Sequence, residues 1–315
     1  MKNLTKLMCL LLALAMVFAL CACGSSPAPA ASEAPSEAPA ESEAPADEPV
    51  DYSSMTIDEL KPLIQTVTEG KLTIATSPDF APYEFYAIDA DGNPQLAGFD
   101  VGMAQYIAEF LGLEAEIIPM DFDGVLNELA AKSVDIGAAG LSPDPSRMDA
   151  MDFSDIYYFG GQSFVTVEGK EDLFPTLADA NKAEYSIGAQ NGSIQMDLAN
   201  ANTPDADIVS LVKVTDIVAE LIGGKLDGAF IETAVAENYA KSYPQLKIIH
   251  DVPYEAAAGS AFGISKGNEA LLAAVNLAIA AANEDGFLES AVAEANELST
   301  GEIIEGLIPD EAAQG

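Results

Sequence analysis

From Lys71 onward short strand-like runs alternate with amphipathic helical ones, and that alternation confines the chain to an α/β architecture built on largely parallel sheet. Lys71 to Ser77 reads as a strand and Pro78 to Tyr83 as a loop. Gly98 to Gly112 has helical spacing through Met103, Ile107, Phe110 and Leu111. Leu113 to Pro119 returns to strand, Phe122 to Lys132 is amphipathic with Val125, Leu126 and Leu129 inward, and Ser133 to Ala139 reads as strand again. A second set of units begins at Tyr185-Ser-Ile-Gly-Ala-Gln-Asn-Gly-Ser-Ile-Gln195. It continues through a helix over Asp216 to Gly223 and strands over Leu226 to Ile231, Lys247 to His250 and Ser260 to Ser265, and an Ala-rich helix follows Asn268. About 250 ordered residues in two such sets suit two lobes better than one. Phe159-Gly160-Gly161 and Ala257-Ala258-Gly259-Ser260, both rich in small residues, are the expected crossovers between them.

Upstream of Lys71 the chain changes character twice. Met1 to Ala22 has a positive start, an apolar run from Leu7 to Leu20 and a small residue before a cysteine, which is the pattern of a secretory signal. Leu20-Cys21-Ala22-Cys23 resembles a bacterial lipobox, and the resemblance implies cleavage after Ala22 with diacylglyceryl attachment to the Cys23 thiol. Residues 23–50 then repeat Ser-Glu-Ala-Pro with variations, a composition that cannot bury enough apolar surface to fold. It is expected to be a disordered tether, with a reach of about 80 Å at ~3.1 Å per residue. A helix is expected between Asp51 and Gly70, with Thr56 as N-cap, Asp58 and Glu59 in its first turn, and Leu60, Leu63 and Ile64 on one stripe.

Composition removes whole classes of function. Cys9, Cys21 and Cys23 all lie in or at the end of the leader, so the folded part has no disulfide and no thiolate metal site. His250 is the single histidine, which excludes a zinc cluster and a Ser-His-Asp triad. A formal charge of -38 repels nucleic acid and anionic lipid. No metal, cofactor or catalytic group is implied.

What the composition leaves open is an anion receptacle in the stretch Gly137-Ala-Ala-Gly-Leu-Ser-Pro-Asp-Pro-Ser-Arg147. A strand runs into a turn of small residues, and the turn delivers the Ser142 hydroxyl and the Arg147 guanidinium past two prolines that end the ladder. Arginine presents its donors in a planar fork that matches a carboxylate.

Taken together, Ser77-Pro-Asp-Phe-Ala-Pro-Tyr-Glu-Phe85, Gly98-Phe-Asp-Val101, Asp121-Phe-Asp123, Ser142 to Arg147 and Phe153-Ser-Asp155 occur in order and at family-like spacing. On these motifs the chain resembles bacterial extracellular solute-binding proteins of family 3, the polar amino-acid receptors of ABC importers, from about Lys71 to Glu297. The resemblance implies a type II periplasmic-binding-protein-like fold that closes on its ligand, hinged on two crossover strands. Residues 51–160 and 257–315 would form the first lobe and 161–256 the second.

The resemblance also assigns roles. Arg147 and Ser142 match carboxylate-binding positions, with Ser193 and Ile194 adding the free N–H groups of a helix start from the second lobe. Glu232 falls where the family places an acid for the ammonium, and Gly140 would add a backbone carbonyl. Phe80 and Phe122 match aromatic positions that hold the ligand's side chain. Ser77 stands where binders of basic amino acids tend to carry an acid, which disfavours arginine, lysine and histidine. Ile194, where a second hydroxyl is common, weakens one carboxylate contact. The implied function is a monomeric, lipid-anchored, extracytoplasmic receptor that captures a polar or neutral amino acid and delivers it to an ABC permease. A small dehydratase on the same scaffold, with Glu232 donating a proton, is the alternative. A sensory input domain is disfavoured because no further apolar span precedes Gly315.

Overall fold

The computed structural model describes residues 50–254 and 259–300, so the leader, all of the tether before Val50, Cys23 and the last residues lie outside the described residues. Thirteen strands occur in chain order among them: β1 (Lys71–Thr76), β2 (Asp79–Phe80), β3 (Glu84–Ile88), β4 (Pro94–Ala97), β5 (Glu114–Pro119), β6 (Ile136–Gly137), β7 (Met151–Phe153), β8 (Gln162–Val167), β9 (Ser186–Gln190), β10 (Asp207–Leu211), β11 (Gly228–Glu232), β12 (Leu246–Val252) and β13 (Gly263–Ser265). They build two five-stranded sheets, ordered β5-β1-β6-β13-β7 and β10-β9-β11-β8-β12, and a small sheet β2-β3-β4. Within each large sheet four strands run in one direction, and a single strand, β13 in the first and β8 in the second, runs antiparallel to both its neighbours. The sheets are therefore mixed, with one reversed strand in an otherwise parallel set.

Each sheet is the floor of one lobe, and the chain passes between them twice. Leaving β7 it runs through Tyr157 to Gly161 into β8, and returning from β12 it passes Gly259 and Ser260 into β13. The two crossovers lie side by side: Tyr158 and Ser260 form an antiparallel bridge, with Ser260 N–H donating to the Tyr158 carbonyl at 2.7 Å and Tyr157 N–H to the Ser260 carbonyl at 3.0 Å. A two-stranded hinge of this kind is narrow, so bending it need not disturb either sheet.

The Phe99–Leu111 helix shows how local sequence positions the site. Its buried Phe99, Met103, Ala104, Ile107, Ala108 and Leu111 recur at helical spacing and pack under the first sheet. Gly112 in the left-handed conformation ends it. Gly98 begins it at φ +119°, where a Cβ would lie 2.1 Å from the Tyr83 carbonyl oxygen, so only glycine lets the helix start against the Pro82-Tyr83 turn.

Two expected elements are altered. The helix over residues 51–70 is broken into 3-10 turns around a four-residue helix, Ile57–Leu60, because Pro62 follows at once; Leu60 is buried, but Leu63 is 45% exposed and leaves the stripe. The strand expected over 133–139 is shortened to Ile136–Gly137, with backbone bonds continuing on either side from Asp135 N–H to the Thr73 carbonyl and from Ala138 N–H to the Ala75 carbonyl, both at 2.9 Å. The Asp135 carboxylate adds to this ladder, accepting from Thr73 N–H and Val67 N–H, both at 2.8 Å.

Candidate functional site

A cavity of about 200 Å³ opens where the lobes meet the crossovers. Gly140 and Ser142 reach it from the loop after β6, Glu232 from the end of β11, Gly160 and Ser260 from the crossovers, and Gln162, Gln195 and Tyr254 from the second lobe.

Glu232 is held by the helix that it begins. Its Oε2 accepts from Val235 N–H at 2.9 Å, capping the Thr233–Ser242 helix, while its Oε1 is buried with no partner among the described residues. A Cβ on Gly160 would lie 2.4 Å from Oε1 and 2.9 Å from the Tyr83 hydroxyl, so the bare glycine keeps this corner open. The Tyr83 hydroxyl also lacks a hydrogen-bond partner among the described residues. Burial pushes the Glu232 carboxyl up to about 7, against the opposing pull of the Val235 N–H.

Arg147, the chain's single arginine, ends the Pro145–Arg147 turn that Asp144 caps by accepting from Ser146 N–H at 2.7 Å. Its Nη2 crosses to the second lobe and donates to the Gly192 carbonyl at 2.9 Å, and its guanidinium lies 5.7 Å from the Phe122 ring centroid. Its Nη1 is buried and without a partner among the described residues. Burial lowers its pKa from the ordinary value.

Gly140 is set by a buried acid. Its N–H donates to Asp100 Oδ2 at 2.9 Å, and Asp100 Oδ1 accepts from the Tyr157 hydroxyl at 2.5 Å. At φ +56° a Cβ on Gly140 would lie 2.8 Å from the Phe80 ring, so the backbone turns flat against that face. This gives the Gly98-Phe-Asp motif its physical role: it places the carboxylate that aims the loop.

Of the expected residues, Gly140, Ser142 and Glu232 line the cavity, while Arg147 and the rest lie off its wall. Ser193 caps the Ile194–Asn202 helix, accepting from Met196 N–H at 3.2 Å and donating to the Gln190 carbonyl at 2.7 Å, so its hydroxyl is occupied. Ile194 packs into the second lobe's core. Phe80 packs on Tyr83, with ring centroids 5.3 Å apart, and Phe122 carries Arg147. Ser77 is buried away from the cavity. Conversely, Tyr83, Gln162, Gln195 and Tyr254, which no sequence motif assigns to a site, line the cavity. Gln195 Nε2 donates to Gln162 Oε1 at 2.7 Å, and the Tyr254 hydroxyl donates to Asp144.

Two α/β lobes, two paired crossovers and a cleft between them make this a type II periplasmic-binding-protein fold. The chain belongs to the bacterial extracellular solute-binding proteins, family 3, whose model matches residues 72–294. It is 33% identical over 223 residues to the arginine-binding extracellular protein ArtP of Bacillus subtilis, covering 70% of this chain and 83% of that protein. An amino acid ABC transporter substrate-binding protein from Streptococcus pneumoniae, solved bound to L-arginine, is 31% identical with a TM-score of 0.69, covering 77% of this chain and 98% of that one. Cyclohexadienyl dehydratase of Pseudomonas aeruginosa is 27% identical over 188 residues, covering 60% of this chain and 69% of that enzyme.

Proposed function

We propose that this protein is the amino-acid-binding component of an ABC importer, closing its lobes on a free amino acid outside the cytoplasm and presenting it to a permease. The observation that carries this reading is a pair of buried, opposite, half-satisfied charges offered by opposite lobes: Arg147 Nη1 from the first and Glu232 Oε1 from the second. Leaving either charge buried and unpaired costs several kcal/mol. A zwitterion satisfies both, with its carboxylate on the Arg147 fork beside Ser142 and its ammonium on Glu232 and the Gly140 carbonyl. Ligands that lack the ammonium or the carboxylate are therefore expected to bind at least tenfold more weakly than the parent amino acid in calorimetry. Equal affinity for the deaminated analogue would remove Glu232 from the site.

The side-chain end favours an uncharged polar group. Gln162, Gln195 and Tyr254 supply neutral donors and acceptors there, and Glu232 is the single carboxylate among the described lining residues. With that carboxylate engaged by the ammonium, nothing on the described wall would neutralise a guanidinium, although the Bacillus relative is an arginine-binding protein and the Streptococcus relative was solved bound to L-arginine.

A dehydratase is the second reading, favoured by the Pseudomonas relative and by a Glu232 carboxyl poised near neutrality. Binding is preferred because Oε2 is committed to a helix cap and no second carboxyl lines the described wall. The anchor is proposed from Cys23: Cys23→Ala is expected to abolish incorporation of labelled fatty acid and to release the protein from membranes, and persistent labelling would overturn it.

A further inference from the structure

Asp79 is an acid of the first lobe enclosed by the second. It stands at the start of β2 and is only 4% exposed. Its Oδ2 accepts from Val214 N–H at 2.6 Å and from Gln190 Nε2 at 3.3 Å, and its carbonyl accepts from the Tyr239 hydroxyl at 3.0 Å. These three donors come from three elements of the second lobe: the Val214–Ile222 helix, the end of β9 and the Thr233–Ser242 helix.

The Val214–Ile222 helix has a gap that Asp79 fills. Its own N-cap, Lys213, makes no side-chain capping bond, and the Val214 N–H at the first helical position has no acceptor within the helix. A carboxylate delivered there from another lobe both satisfies the orphan donor and sits at the positive end of the helix dipole. Burial pushes the Asp79 carboxyl up to about 7, with Lys213 opposing and Asp216 reinforcing the shift; Glu84 on its own lobe and the Tyr239 phenol face it too. Charged or neutral, Oδ2 can still accept from Val214.

We propose that Asp79 is the inter-lobe latch of this protein, a positioning residue whose carboxyl caps a helix of the opposite lobe only when the lobes meet and thereby retains the ligand. This rests on the amino-acid-capture reading. Asp79 also precedes Phe80, which packs beneath Gly140, so the latch is one residue away from a side chain that packs on the loop at the cavity.

The test compares the wild-type protein with Asp79→Ala and Asp79→Asn, the second keeping an acceptor for Val214. Exchange of the Val214 amide is followed by NMR without ligand and with L-glutamine, alongside stopped-flow release of L-glutamine and ligand-free melting. Asp79→Ala is expected to speed Val214 exchange and glutamine release about tenfold each while melting stays unchanged, with Asp79→Asn restoring most of both. Val214 exchange unchanged in Asp79→Ala, unchanged glutamine release, or a fall in melting that Asp79→Asn does not rescue would each overturn the latch. Should the wild type take no glutamine, the capture reading loses that support, and the Val214 amide alone decides the latch by the same criterion.

Discussion

Arg147→Ala is expected to weaken amino-acid binding at least thirtyfold while leaving the fold intact. The guanidinium is buried, leans on the Phe122 face and spends one arm on the Gly192 carbonyl across the lobe gap. The other arm has no partner among the described residues, so the favourable pairing is made only when an anion arrives. Truncating one member of a buried, hydrogen-bonded charge pair costs about 2–5 kcal/mol, or roughly thirtyfold to several thousandfold in affinity. Arg147→Lys is expected to recover little, because an ammonium cannot hold Gly192 and a carboxylate together in one plane. Because Arg147 stands on a surface turn outside all three core clusters, circular dichroism and ligand-free melting are expected to match the wild type. A variant that keeps full affinity would contradict the site.

Glu232→Gln carries the second large effect and a pH signature with it. At pH 8 the wild-type carboxyl, held near 7 by burial, is ionised and meets the ligand's ammonium. Glutamine keeps the Val235 cap through its carbonyl but loses the charge, so affinity is expected to fall about thirtyfold or more. The sign of the pH dependence follows from linkage. The free protein's carboxyl is raised, the ammonium lowers it in the complex, and binding therefore releases a proton. Wild-type affinity should be full above pH 7 and decline as pH falls below it, whereas Glu232→Gln has no such group to titrate. The gap between the two is thus expected to narrow from pH 8 to pH 5. A constant gap, measured by calorimetry at both values, would mean that Glu232 does not meet the ammonium.

Much of this arrangement is readable from the chain, and the unreadable parts share a physical cause. Alternating strand and helix periods specify two α/β sets, and the small-residue stretches at Gly160 and Gly259 mark the crossovers. Ser142 stands out from the turn that follows a strand, and Gly140 and Glu232 through the family resemblance, each lying at or just after a strand end. Gln162, Gln195 and Tyr254 carry no local signal, since they reach the cavity only through the closure of one lobe on the other. The same holds for Asp79, whose sequence neighbours say nothing of a helix 135 residues later. Local competition accounts for one altered element: Pro62 interrupts a helix. Phe122 and Ser193 show how a position can matter through its neighbours, one beneath a guanidinium and the other inside a helix cap.

Calorimetric titration of the protein with each of the twenty amino acids at pH 8 tests the central claim most directly. The account predicts one-to-one binding of one or a few uncharged polar amino acids at micromolar dissociation constants or tighter, about -8 kcal/mol or more favourable, and loss of that heat in Arg147→Ala. Absence of heat with all twenty, or binding that survives Arg147→Ala undiminished, would contradict it.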